Sequence, residues 1–185
     1  MASDDDRQPV DRQSFDRLVV DHLVAAQRFA MRLTGNAEAA EEVVQEALVR
    51  AARSRSTFAG RARFKTWLFQ IVVNAFRDRL SERASRILPE SLPDGLSDGR
   101  ARDPAAQAQA AEQGRVIASM VSALPARQRE VLVLHAYEGL STVEVAAVLG
   151  VSEQNVRTNL HLARRRLREL LAPYLPELPQ RNRGN

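Results

Sequence analysis

The chain has no cysteine, and its 185 residues include only one tryptophan, two tyrosines and six phenylalanines. Without cysteine there is no disulfide, no thiolate metal site and no thiol nucleophile, a usage that fits a reducing, cytoplasmic setting. No segment approaches the roughly 18 consecutive apolar residues of a membrane span, so membrane insertion is not expected. The opening residues MASDDDRQPVDRQ are acidic and polar, so a secretory leader is not expected either. Also missing are a nucleophile beside a base, a phosphate-cradling glycine loop and a clustered metal-ligand set, so neither enzymatic activity nor a cofactor is expected. A di-iron helical bundle would need Glu-x-x-His pairs. The residues three before His22, His135 and His161 are Val19, Leu132 and Thr158.

Helical periodicity runs through almost the whole chain and strand alternation is nearly absent, which predicts an all-α protein. A hydrophobic content of 44% with 27% charged residues suits globular domains, and the net charge of +4 leans towards nucleic acid. Two small helical domains are expected, at 15–86 and 113–174. Between them, 87–112 begins ILPESLPDGLSDGRARDP, too rich in Pro, Gly, Asp and Ser for a continuous helix, and reads as a flexible linker. Residues 1–14 are expected to be a disordered arm and 175–185 a polar tail.

The first domain gathers most of the aromatic residues in FAGRARFKTWLFQIVVNAFRDRL, from Phe58 to Leu80. As a helix from Lys65 to Ser81, this segment puts Leu68, Phe69, Val72, Val73, Ala75, Phe76 and Leu80 on a core face. Trp67, Gln70, Asn74, Arg77 and Ser81 share the opposite stripe. Two readings fit the stripe. It is a solvated face capped by Trp67, or a surface where bases stack on the ring, amides read base edges and Arg77 meets phosphate. Phe58 and Phe64 stand beside Arg61, Arg63 and Lys65 just upstream, and seven basic residues between Arg61 and Arg86 face only Asp78 and Glu82. Each phosphate neutralised there releases counterions.

The preceding segment, NAEAAEEVVQEALVRAARSR, predicts a helix capped by Asn36, with acidic residues near its positive end. Ala40, Val43, Val44, Ala47, Leu48 and Ala51 form its apolar stripe. Glu41, Glu42, Gln45, Glu46 and an isolated Val49 lie outside that stripe. Such a face repels DNA and is either simply solvated or suited to a basic protein partner.

In the second domain, LSTVEVAAVLGVSEQNVRTNLHLARRRLREL breaks into two helices. Ser141 and Glu144 have capping-box spacing, Gly150 stops the first helix, and Ser152 caps the second. Ala146, Gly150 and Val156 fall at the spacing of a DNA-binding helix-turn-helix. The second helix would then offer Gln154, Asn155, Arg157, Thr158 and His161 to base edges, with Arg164, Arg165, Arg166 and Arg168 for phosphates. A helical hairpin used for protein contacts shares this pattern, as does a transcriptional regulator that binds only duplex DNA.

Together, V-V-Q-E, F-x-G…F-K-T-W-L-F, D-R-L and LPARQREVLVLHAYEGLSTVEVAAVLGVSEQNVR resemble the bacterial extracytoplasmic-function sigma factors, from Phe15 to Leu171. The resemblance implies a sigma-2 and a sigma-4 domain and a dissociable specificity subunit of RNA polymerase without its own catalytic site. It implies docking on core polymerase, on a coiled coil of the largest subunit, through Glu41, Glu42, Gln45, Glu46 and Val49. It implies that Phe58, Arg61, Arg63, Phe64, Lys65, Trp67, Gln70, Asn74 and Arg77 hold the melted −10 strand of promoter DNA, with a flipped base captured near Asn74. Ser152, Gln154, Asn155, Arg157, Thr158, His161, Arg164 and Arg165 would read the −35 duplex. An anti-sigma factor is a further implied partner, and the nucleoid the implied location of the holoenzyme. Asn159 and Leu162 stand where the family commonly has Arg, and Gln70 replaces a frequent Arg. An atypical −35 preference and a weaker −10 phosphate contact are therefore expected.

Overall fold

A computed structural model describes residues 12–58, 64–86, 114 and 116–174. Arg61, Arg63, the linker 87–112 and the tail 175–185 lie outside the described residues, as does the N-terminal arm up to residue 11. The described residues are helical with short connections and contain no strand.

Three long helices make the first unit: α1 (Arg12–Thr34), α2 (Ala37–Arg53) and α3 (Phe64–Arg86). Helix α1 thus starts ahead of the expected boundary at Phe15, and α3 runs past Ser81. Asn36 begins α2 as its sequence predicts, with its side-chain oxygen accepting from the Ala39 amide at 2.9 Å. The apolar stripe of α2 is buried at Ala39, Ala40, Val43, Val44, Ala47 and Ala51 and half-buried at Leu48. The core face of α3 is buried from Leu68 to Phe76, and Phe69 stacks on Phe29 with ring centroids 4.4 Å apart. Both rings are fully buried. Phe69→Ala is expected to cost about 3–5 kcal/mol, a large part of a typical domain's total stability. Urea denaturation followed by circular dichroism measures it.

The second unit contains a helix at 116–122 (α4), α5 (Ala126–Leu132), α6 (Thr142–Leu149) and α7 (Glu153–Leu171). Between α5 and α6 lies a five-residue π-helical turn, Val133–Tyr137. The capping box at Ser141 and Glu144 is complete, with the hydroxyl accepting from the Glu144 amide and the carboxylate accepting from the Ser141 amide. Gly150 closes α6 at φ 65°, in the left-handed region where a Cβ would strain the backbone. Ser152 then caps α7, whose Val156, Leu160 and Ala163 are buried and whose Leu167 packs partly against them.

The two units also pack on each other. Helix α3 meets α6, and α1 meets both the π-helical turn and α5. One continuous hydrophobic core extends from Phe15 in α1 to Ala163 in α7. The buried residues of α3 from Leu68 to Phe76 span roughly 160° of circumference at 100° per residue, a broad face on a helix that packs against α1, α2 and α6.

Candidate DNA-reading and docking surfaces

At the start of α3 the rings form a cluster. Phe15 meets Phe64 edge-on at 5.6 Å, and Phe58 meets Phe64 at 5.2 Å. Trp67 lies 5.2–5.9 Å from Phe58, Phe64 and Phe15. Phe58 and Phe64 are only 7% and 6% exposed, which corrects the expectation that they offer stacking surfaces. Edge-to-face packing of Phe64 on Phe15 and of Phe58 on Phe64 turns them into core, a gain of about 0.5–1.5 kcal/mol per ring pair beyond burial. Trp67 is half-buried, and Gln70 and Asn74 are exposed beyond it. The stripe's ring and amides are therefore within reach of solvent.

Three cations of this segment, Lys65, Arg77 and Arg79, are engaged within the protein, while Arg61 and Arg63 lie outside the described residues. Arg77 donates through Nε and Nη2 to both carboxylate oxygens of Glu130 in α5, at 2.9 and 2.8 Å. Lys65 lies 3.0 Å from the carboxylate of Glu138. Arg79 pairs with Glu42 of α2, and Arg50 bridges Glu46 at 2.7 Å and Asp78 at 2.5 Å. Asp78 first, and Glu46 second, hold the Arg50 guanidinium above its ordinary pKa.

On α2 the residues Glu41, Glu42, Gln45, Glu46 and Val49 are all exposed, Val49 at 44%. Gln45 donates to Glu41 at 3.1 Å. Beside them a groove of about 400 Å³ opens between α1 and α2, with Leu23, Met31, Val44 and Leu48 among its lining and Glu41 and Gln45 at its edge. Val20 and Val24 of α1 are exposed as well. This surface has acidic and amide side chains flanking apolar ones, the chemistry of a helix-docking face for a basic partner.

Helix α7 presents Gln154, Asn155, Arg157, Thr158, His161, Arg164 and Arg165 to solvent on the side opposite Val156 and Leu160. A relay orders its start: Thr142 of α6 donates to Glu153 at 2.6 Å, and Glu153 holds Arg157 at 2.7 Å. The Thr142 hydroxyl first, then Arg157, keep the Glu153 carboxyl below its usual pKa. Asn159 is turned onto its own helix, donating to the Asn155 carbonyl at 2.9 Å. Five Arg on this helix stand against Glu153 and Glu169. A helix-turn-helix with such a face belongs to the DNA-reading class.

Sequence reasoning missed the residues that join the units: Arg32, Arg129, Glu130 and Glu138. Glu130 is the one buried charged residue in the described core, at 1% exposure. Arg129 donates to the Leu33 carbonyl at the end of α1 and to the Leu124 carbonyl at 3.0 Å. Burial pulls its guanidinium below the ordinary value. No local pattern marks any of them, because helical Glu and Arg in polar surroundings read as solvated.

An acidic-faced three-helix unit packed with a helix-turn-helix unit is the architecture of a sigma-70-type protein. Sigma-70 region 2 matches residues 18–86, and Sigma-70, region 4 matches 114–167. The ECF RNA polymerase sigma factor SigE of Mycolicibacterium smegmatis is 35% identical over 170 residues, covering 90% of this chain and 65% of that protein. SigL of Mycobacterium tuberculosis is 35% identical over 150 residues, covering 80% of this chain and 83% of that protein. Among solved structures, the sigma factor RpoE of Bartonella quintana, in complex with the anti-sigma factor NepR, aligns with a TM-score of 0.73 at 25% identity. That alignment covers 86% of this chain and 98% of RpoE. The chain belongs to the extracytoplasmic-function sigma factors. No helix among the described residues is long and apolar enough to cross a membrane.

Proposed function

We propose that the protein binds core RNA polymerase and directs transcription from specific promoters, reading −35 as duplex and −10 as separated strands. The observation that supports this reading is the presence on one chain of two exposed polar faces of different chemistry, on α7 and on α3. Helix α7 exposes amides, a hydroxyl, an imidazole and guanidinia at the start of a capped recognition helix. That arrangement suits base edges in a major groove. Helix α3 exposes Gln70 and Asn74 beyond a half-buried Trp67, which suits bases without partners, since every base offers a face for stacking. The outer face of α2 then serves polymerase. Expected partners are the largest polymerase subunit, promoter DNA and an anti-sigma factor, the last by likeness to RpoE, which is bound to NepR. The protein supplies promoter specificity and no catalytic group.

Run-off transcription with core enzyme over a promoter library tests the reading, with initiation expected from a restricted set of −35 and −10 sequences. In the same assay Arg157→Ala is expected to lose about 1–3 kcal/mol at one −35 position, roughly 5- to 150-fold, and to accept other bases there. Uniform loss over all promoters would assign Arg157 to phosphates. No transcript from any template, with duplex binding intact, would point to a regulator that acts without polymerase.

A further inference from the structure

We propose that Glu130 and Glu138 form an intramolecular clasp that closes the two units and occupies the cations that otherwise hold the phosphates of the melted −10 strand. Arg32, outside the aromatic segment, belongs to that same phosphate-binding row. The proposal rests on the −10 reading above and adds its regulation.

The geometry is that of an anion held by a built site. Glu130, on α5, is bound side-on by Nε and Nη2 of Arg77 and accepts a further bond from Arg127 at 3.1 Å. Glu138 receives Lys65 on Oε2 at 3.0 Å and Arg32 on Oε1 at 3.3 Å, and its side chain is only 7% exposed. Lys65 also donates to the Glu138 carbonyl at 3.2 Å. The π-helical turn sets this position. The Glu138 amide bonds back to the Val133 carbonyl, and Gly139 follows at φ 71°, a conformation that favours glycine. A single π turn in a helical protein commonly marks a functional position.

Charge chemistry makes the clasp exchangeable. Forks and ammonium groups that accept carboxylates accept phosphates by the same bonds. Burying two ions carries a desolvation cost close to the attraction they gain, so such pairs specify an arrangement more than they strengthen it. An approaching polyanion replaces the carboxylates while the released glutamates regain water. The α2 face and the α7 face remain exposed in the closed arrangement, so polymerase and the −35 duplex have access before the clasp opens.

The full-length protein tests this, with two dyes on cysteines introduced at exposed Ala52 and Ala172 of the naturally cysteine-free chain. Energy transfer should report one short distance for the parent and a longer, broader one for Glu130→Gln combined with Glu138→Gln. A single-stranded −10 oligonucleotide should then bind the double variant about tenfold more tightly, as expected when a competent state near one part in ten becomes dominant. An unchanged distance overturns the clasp whatever the oligonucleotide does. A lengthened distance without tighter binding removes Lys65 and Arg77 from the −10 site and overturns the masking half of the proposal, leaving the −10 reading to Trp67, Gln70 and Asn74. Circular dichroism checks that helicity is kept. Should the neutral variant lose its fold, Arg77→Glu alone should open the protein and its combination with Glu130→Arg should reclose it, and failure to reclose counts against the clasp. Arg32→Gln in the opened background should weaken the oligonucleotide several-fold, and equal affinity would remove Arg32 from the row.

Discussion

Core RNA polymerase and the Glu46→Lys protein are expected to elute as separate peaks on a sizing column, where the parent chain co-elutes with the enzyme. Glu46 sits on the outward side of α2 with about half its side chain exposed, and its one described partner is Arg50 at 2.7 Å. Reversal removes that pair and sets Lys four residues before Arg50, a like-charge spacing that costs a few tenths of a kcal/mol on a helix. Arg50 keeps Asp78 at 2.5 Å, so the cross-link between α2 and α3 survives. Exposed pairs are worth about 0–1 kcal/mol, and the melting temperature should move by only a few degrees. At the interface the same change replaces an attraction with a repulsion against a basic partner. Like-charge contact there costs several kcal/mol, a hundredfold or more in affinity. The neutral Glu46→Gln protein should fall between. Full co-elution of the reversed protein would move the docking site off this face, with the groove lined by Leu23, Val44 and Leu48 as the next place to probe.

The legible features share one property: each is decided within a few residues of itself. Asn36, the Ser141 and Glu144 box, Gly150 and Ser152 act on amides one turn away, so spacing alone locates them. The buried stripes of α2 and α7 follow from a 100° step and one covering side. The illegible features are those decided at a distance. Phe58 and Phe64 look like ligand surfaces beside Arg and Lys, yet Phe15, some fifty residues earlier, draws Phe64 into a ring cluster. Arg77 looks available for phosphate until Glu130, 53 residues on, is found against it. Helix α3 already packs on both α1 and α2, so the breadth of its apolar face does not announce α6 as a further neighbour. The polar contacts of one unit with the other run through Arg32, Arg129, Glu130 and Glu138, where no sequence rule separates a paired helical charge from a solvated one.

Asn74→Ala is expected to leave a stable protein that binds core polymerase normally and fails to open promoters. Asn74 is exposed midway along α3, where alanine is the better helix former, so the fold should be unaffected or slightly stabilised. Its proposed work is different. A base leaving the stack costs a few kcal/mol, and stacking and hydrogen bonds on the protein must offset that cost. Loss of a bidentate amide contact removes about 1–3 kcal/mol, enough to reduce the open fraction between fivefold and more than a hundredfold. Permanganate reactivity of unpaired thymines measures opening directly, and sizing chromatography with core enzyme confirms that docking persists. A template already unpaired across −10 should still bind the variant more weakly than the parent, because the lost contact is to the extruded base itself. Restoration of parental affinity on that template would instead assign Asn74 to strand separation alone. Normal permanganate reactivity on duplex promoters would remove Asn74 from the −10 site and leave Trp67, half-buried against Phe58 and Phe64, as the group to test next.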